Sequence, residues 1–285
     1  MLSSVSLTSL VIIGLQVVAG ASATGVPESA IRTVYTFPAE SANFIENIAV
    51  RSNGHVLLTS IRQPSLYTLD PCVDTSTAST LVTINSTTVN GLSGIAEYAP
   101  DKFAVIGALW GDFVATNLSV WTFDARTHPV TATKVLDLDG PGVANGMTVL
   151  PGVPGAVLVS DSILGAVWRI DIPARTARLV LQDDALAPGP GVPSSRDQRP
   201  ARTRRPALLC QLEQVLLRAR ADPPDGTQAG PVEQLVAAPA GQLGQDDFAF
   251  DAHGNAWIAS HLDYVDVVVP PQGIQPARTD RSARV

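Results

Sequence analysis

Three times along this chain a strand closes on the same four-residue signature, an aromatic residue, any residue, an apolar residue and aspartate. The copies are Tyr67-Thr68-Leu69-Asp70, Trp121-Thr122-Phe123-Asp124 and Trp168-Arg169-Ile170-Asp171. The aspartates stand 54 and 47 residues apart. A period of this length is the mark of an architecture built from repeated small sheets, because each unit buries its apolar faces only against its neighbours. Ahead of each signature lies a second apolar strand: Val56 to Ser60, Phe103 to Ile106 and Ala156 to Asp161. Turn residues precede each of them, in Ser52-Asn53-Gly54, Ala99-Pro100-Asp101 and Pro151-Gly152, as tight hairpins require. Strands that open a repeat are read at Glu46 to Val50 and Asn145 to Val149, and a late copy runs from Asp247 to Ser260. The spacing leaves room for one more repeat between the last two.

This order predicts an all-β, six-bladed β-propeller, with a fourth blade disrupted and a sixth missing from the sequence as written. A β-sandwich also has many short strands, but it carries neither equal spacing nor a recurring strand ending. The fold is expected to occupy residues 24–285 as a single domain, with an irregular tail at 266–285.

Residues 1–23 read as a signal peptide: an apolar run, Leu7 to Val18, leads to Ala21-Ser22-Ala23, a small-x-small site for cleavage. No Lys or Arg precedes the run, which leaves an uncleaved anchor as the alternative. Two sequons, Asn85-Ser86-Thr87 and Asn117-Leu118-Ser119, agree with an extracellular destination and mark Asn85 and Asn117 as glycosylation sites. The net charge of −7 argues against nucleic acid as a partner. The expected partner is a small molecule, and the expected state is a monomer with no membrane attachment after cleavage. Of the two cysteines, Cys72 and Cys210, the second falls in an anomalous segment, so the pairing of Cys72 stays open.

That segment spans 194–222. Seven arginines lie between Arg196 and Arg220, and strand alternation vanishes where the fourth repeat is due. A basic insertion is one reading. The other is a shift of reading frame: with a free choice of codons, a one-base shift turns Leu209 to Ala221 into Phe-Ala-Asn-Ser-Asn-Lys-Phe-Phe-Phe-Ala-Arg-Val, a strand, a turn and a strand. The same shift turns Asp197 to Arg202 into Thr-Asn-Gly-Leu-His-Val, an opening strand like Asn145-Gly146-Met147. One change restores both halves of a blade, so local and global readings agree under the frameshift.

The segments Phe44 to Arg51, Gly94 to Glu97, Asn145 to Leu150, Asp161 to Asp171 and Asp246 to Asp251, in this order and spacing, resemble the senescence marker protein/gluconolactonase-like family, in particular its fungal secreted members. The resemblance covers about residues 32–192 and 223–265. It implies a propeller with one divalent cation, commonly calcium, held by a Glu that opens one blade, two Asn that open later blades and an Asp that opens another. Here it implies Glu46, Asn145 and Asp246 as ligands. The second Asn is absent as written and would fall at Gln198 in the shifted frame. Glu and Asp carboxylates and amide oxygens are the hard donors that calcium takes. The implied activity is metal-dependent hydrolysis of a lactone or ester, with Asp246 as ligand and general base.

Read without the resemblance, Glu46 is a solvated acid at a strand end, Asn145 of Asn-Gly is a turn residue, and Asp246 or Asp247 is a loop acid. His261 follows a strand end, where a propeller mouth could bring it near a substrate, although a structural role is the simpler reading. His55, His128 and His253 read as turn or hairpin residues. Serine-hydrolase elbows, nucleotide loops and zinc motifs are absent from the sequence. A non-catalytic secreted propeller serving as a binding scaffold, or the inactive product of a damaged gene, is the alternative to the enzyme.

Overall fold

The computed structural model describes residues 33–38, 41, 43–111, 114–150 and 152–183 with their side chains, and the backbone of strands at 10–12, 245–250, 256–260 and 266–269. Three four-stranded antiparallel sheets follow one another along the chain. The first holds β3 (Ile45–Val50), β4 (Val56–Ser60), β5 (Ser65–Leu69) and β6 (Ser79–Thr83). The second holds β7 (Gly91–Ala99), β8 (Lys102–Gly111), β9 (Val114–Asp124) and β10 (Thr133–Asp137). The third holds β11 (Ala144–Val149), β12 (Ala156–Asp161), β13 (Ala166–Asp171) and β14 (Thr176–Gln182).

Strands within each sheet are adjacent in the order of the chain, which is the meander of a propeller blade. A later sheet has three strands, β15 (Gln245–Phe250), β16 (Ala256–Ser260) and β17 (Asp266–Val269), and β1 (Leu10–Ile12) pairs with β2 (Thr33–Thr36). There is no α-helix among the described residues.

The sheets pack face to face through side chains that alternate along their strands. Leu57 and Leu66 of the first sheet meet Phe103, Val105 and Phe123 of the second in one buried cluster. The opposite face of the second sheet, with Ala104, Ile106 and Val120, meets Val157, Val159 and Ile170 of the third. Phe103 and Phe123 stack with ring centroids 5.4 Å apart, a geometry that contributes about 0.5–1.5 kcal/mol beyond the area buried. Phe37, just after β2, joins Val56, Leu58 and Leu69 on the outer face of the first sheet. β4 and β12 are therefore buried along their whole length, since both faces of a middle strand are covered.

Tight turns follow the sequence signals. Gly54 adopts φ +85° between β3 and β4, a conformation that favours glycine. Asp101 takes a positive φ of 54° between β7 and β8, where its N–H donates to Glu97 Oε1 at 2.7 Å. Arg51 then ties the first sheet's turn to the second: its guanidinium bonds Asp101 Oδ1 and the Ala125 carbonyl, both at 3.1 Å. Arg175 does the same between the third sheet and β10, through the carbonyls of Val135 and Lys134 at 2.8 and 2.9 Å.

The repeat read from the sequence is thus a four-stranded sheet, and β4, β5, β12 and β13 fall within a residue of the strands expected. The segment 194–222, residues 270–285 and Cys210 lie outside the described residues; the start of the expected irregular tail, Asp266–Val269, is instead a strand, because its alternation-free apolar run pairs with β16, and Cys72 is exposed and forms no disulfide among the described residues.

Candidate functional site

β7 packs against β3 on one side and β11 on the other, so the first strands of the three sheets lie next to one another. Each of these strands carries an irregularity at the same place. In β3, Ile45 pairs with Ser60 and Ile48 with Leu58, which leaves Glu46 and Asn47 opposite Thr59 alone. In β7, Leu92 pairs with Gly107 and Ile95 with Val105, leaving Ser93 and Gly94 opposite Ile106. In β11, Ala144 pairs with Asp161 and Met147 with Val159, leaving Asn145 and Gly146 opposite Ser160. The backbone of β15 repeats the pattern: Gln245 pairs with Ser260 and Phe248 with Ile258, so Asp246 and Asp247 share one partner, Ala259. Two residues against one is a β-bulge, a device that re-aims side chains and recurs beside functional sites.

The first bulge position is Glu46, Ser93, Asn145 and Asp246 in the four sheets. Three of these are the residues that the family resemblance implies as ligands. The fourth, Ser93, was not singled out from the sequence, although it lies 47 residues after Glu46 and 52 before Asn145. The repeat spacing itself was the signal that could have found it.

Buried hydroxyls hold two of the bulges. Thr59 Oγ1 accepts the Asn47 N–H at 3.0 Å and donates to the Asn47 carbonyl at 3.3 Å. Ser160 Oγ accepts the Gly146 N–H at 2.9 Å and donates to the Gly146 carbonyl at 3.3 Å. The equivalent residue of the second sheet is Ile106, which has no hydroxyl. There Ser93 is itself fully buried and donates across to the Ala144 carbonyl of the third sheet at 3.0 Å.

Asn145 is a strand residue and not the turn residue that Asn-Gly suggests by itself. It is 6% exposed, and its Oδ1 has no hydrogen-bond partner. A buried amide oxygen left without a donor costs about 1–3 kcal/mol, and such exceptions call for an explanation such as an ion. Glu46 is half-buried at the second residue of β3. Asp161, at the end of β12, accepts N–H bonds from Gly142, Val143, Ile163, Leu164 and Trp168 Nε1, so it anchors the loop that leads into β11.

The β8–β9 hairpin continues beyond the bulge level, with Leu109 against Thr116 and Gly111 against Val114. Asn90 pins it, donating to the Trp110 carbonyl at 2.9 Å and accepting the Trp110 N–H at 2.6 Å. At this end of the second sheet lies a cavity of about 510 Å³, lined by Thr88, Thr116, Asn117, Lys134, Asp137 and Asp139 among others. Asn85 and Asn117 are both exposed.

The strongest electrostatic perturbation lies elsewhere. The Arg126 guanidinium and backbone N–H hold the Asp124 carboxyl well below the usual carboxylate range, at the far end of the sheet from the bulge. Among the described residues no three His, Cys, Asp or Glu side chains cluster as a metal site. The side chains of Asp246 and His261 lie outside the described residues. The orphaned Asn145 Oδ1 is a hard oxygen donor of the kind that an oxygen-seeking cation takes.

Successive four-stranded meanders meeting through their first strands define a protein of the β-propeller class, incomplete over the described residues. No family model and no curated protein matches the chain. Among solved structures it is similar to a chain of the nidogen/laminin complex, at 12% identity over 88% of each chain with a TM-score of 0.51. It is also matched to the PQQ-bound aldose sugar dehydrogenase of Streptomyces coelicolor, at 15% identity over 80% of this chain and 58% of that one, with a TM-score of 0.39. The first of these likenesses shows the fold.

Proposed function

We propose that this chain is a secreted, divalent-metal-dependent hydrolase of the gluconolactonase type, acting on a lactone or ester of a small molecule. One observation carries the reading: Glu46, Asn145 and Asp246 take the same bulge position in the first strands of three sheets, and one of them keeps a buried oxygen without a donor. Glu46, Asn145 and Asp246 would hold the ion, with calcium the expected occupant. When bound, such a cation polarises a carbonyl oxygen and favours ionisation of water. The chain's own contribution is to fix the donors on rigid strands and to exclude competing water. We assign Asp246 the general base that takes the proton from the attacking water, with His261 beside the substrate.

The test uses the full chain. Calcium titration calorimetry and turnover of simple lactones are measured before and after chelation, on the natural sequence and on Asn145→Leu. Chelator-sensitive turnover that calcium restores supports the proposal, provided Asn145→Leu loses calcium affinity while its melting temperature holds or rises. Removing a buried, unsatisfied amide oxygen relieves the fold even as it damages the site. Absence of both calcium binding and turnover overturns the proposal and leaves the scaffold reading. Genomic DNA read across codons 190–225 tests the missing fourth ligand: asparagine in place of Gln198 supports the enzyme.

A further inference from the structure

We infer that Ser93 and Gly94 are a template that presents Asn145, so the second blade takes part in ligand binding through position alone. This rests on the reading of Asn145 as a ligand. Ser93 occupies the bulge position that elsewhere holds Glu46, Asn145 and Asp246, yet its buried hydroxyl donates to the Ala144 carbonyl at 3.0 Å. Gly94 permits the approach. A Cβ there would lie 2.3 Å from the Asn145 carbonyl oxygen and 3.0 Å from the Gly146 carbonyl carbon, both backbone atoms.

The peptide units on either side of the Asn145 Cα are therefore seated against the second sheet. Within the third sheet, Ser160 brackets Gly146 from both its N–H and its carbonyl. The backbone of Asn145 is held from two sheets, while its side-chain oxygen is left unpartnered. That arrangement is the one that binding favours, because a donor already fixed loses little order when a cation arrives.

A hydrogen bond that orients a ligand from behind changes metal affinity by about 10–100-fold when removed. Ser93→Ala should therefore weaken calcium binding by about tenfold in the full chain. The decisive measurement repeats Ser93→Ala in the Asn145→Leu background. A positioning residue has nothing left to position there, so the added loss should be less than about twofold. An equal loss in both backgrounds, or unchanged affinity in the single variant, overturns the inference.

A second readout needs no metal. In chelated protein, amide exchange at Asn145 and Gly146 should quicken about tenfold in Ser93→Ala relative to Leu158 of the same sheet. Uniform or unchanged exchange overturns the template. If the natural chain binds no calcium, the functional reading fails while this exchange experiment still decides the packing claim. Should Ser93→Ala not fold, Ser93→Cys keeps the volume with a weaker donor, and the same local acceleration is expected at reduced size.

Discussion

Replacing Asp161 by asparagine tests how the loop into β11 is held. The two carboxylate oxygens divide five donors: Oδ1 takes the N–H groups of Val143, Ile163 and Leu164 at 3.0–3.2 Å, and Oδ2 takes Gly142 at 2.8 Å and Trp168 Nε1 at 3.4 Å. The residue is fully buried. Asparagine keeps the shape but puts an amide nitrogen at one of the two positions. Its better orientation leaves Oδ1 in place, so the Gly142 and Trp168 donors then face another donor.

Each unsatisfied buried donor costs about 1–3 kcal/mol, and the three remaining bonds lose the help of a negative charge. With the long Trp168 bond counted at the low end, the sum is about 3–5 kcal/mol. For a chain of this size that is a fall in melting temperature of about 10 °C. Asp171 supplies the control. It is partly exposed and its side chain accepts the Ala174 N–H at 2.9 Å, so Asp171→Asn should cost under about 1 kcal/mol. Calorimetric melting of both variants decides the matter: falls of equal, small size would refute the claim that the five-donor carboxylate organises this loop.

Gly94→Ala should destabilise by about 2–3 kcal/mol in urea titration, because its Cβ would meet the backbone of Asn145, whereas Gly111→Ala, with open space around it, should be near neutral. Arg51→Ala should cost about 1–2 kcal/mol, since the guanidinium is largely buried and bonds both Asp101 and the Ala125 carbonyl. A double-mutant cycle with Asp101→Ala should return a coupling of about 1 kcal/mol, and zero coupling would exclude an inter-sheet clamp. Asp124 has a folded pKa below its ordinary 3.8, so its ion pair stabilises above that value and is lost as pH falls through the folded pKa. Carboxyl-carbon NMR titration of Arg126→Gln should show the Asp124 pKa moving up toward 3.8.

The inner architecture was legible because middle strands are covered on both faces. Val56–Ser60 and Ala156–Asp161 are unbroken runs of buried residues, and nothing but burial between sheets asks for such runs. The outermost strands, Ser79–Thr83, Thr133–Asp137 and Thr176–Gln182, were not legible: they face solvent over much of their length and carry little apolar pattern. β7 also escaped notice as an opening strand. Packed closely on its neighbours, it needs glycine at Gly91, against the Ile61 backbone, and at Gly94, against the Asn145 backbone, and glycines break the alternating pattern by which a strand is read.

At the site, the resemblance pointed to Glu46, Asn145 and Asp246 by their intervals. The residues that hold the bulges of β3 and β11 and the loop into β11, Thr59, Ser93, Ser160 and Asp161, are common residues whose roles exist only after sheets align. Asn145 looked like a turn because local preference favours Asn-Gly in turns, and the burial of β11 overrode it.

Leu10–Ile12, the strand that pairs with Thr33–Thr36, falls within the apolar stretch expected to be a cleaved leader. If residues 1–23 are removed as that expectation has it, the cut after Ala23 takes β1 away with them. It would strip Thr33–Thr36 of the neighbour that satisfies its amides and carbonyls, and so create a sticky ribbon at the moment of maturation.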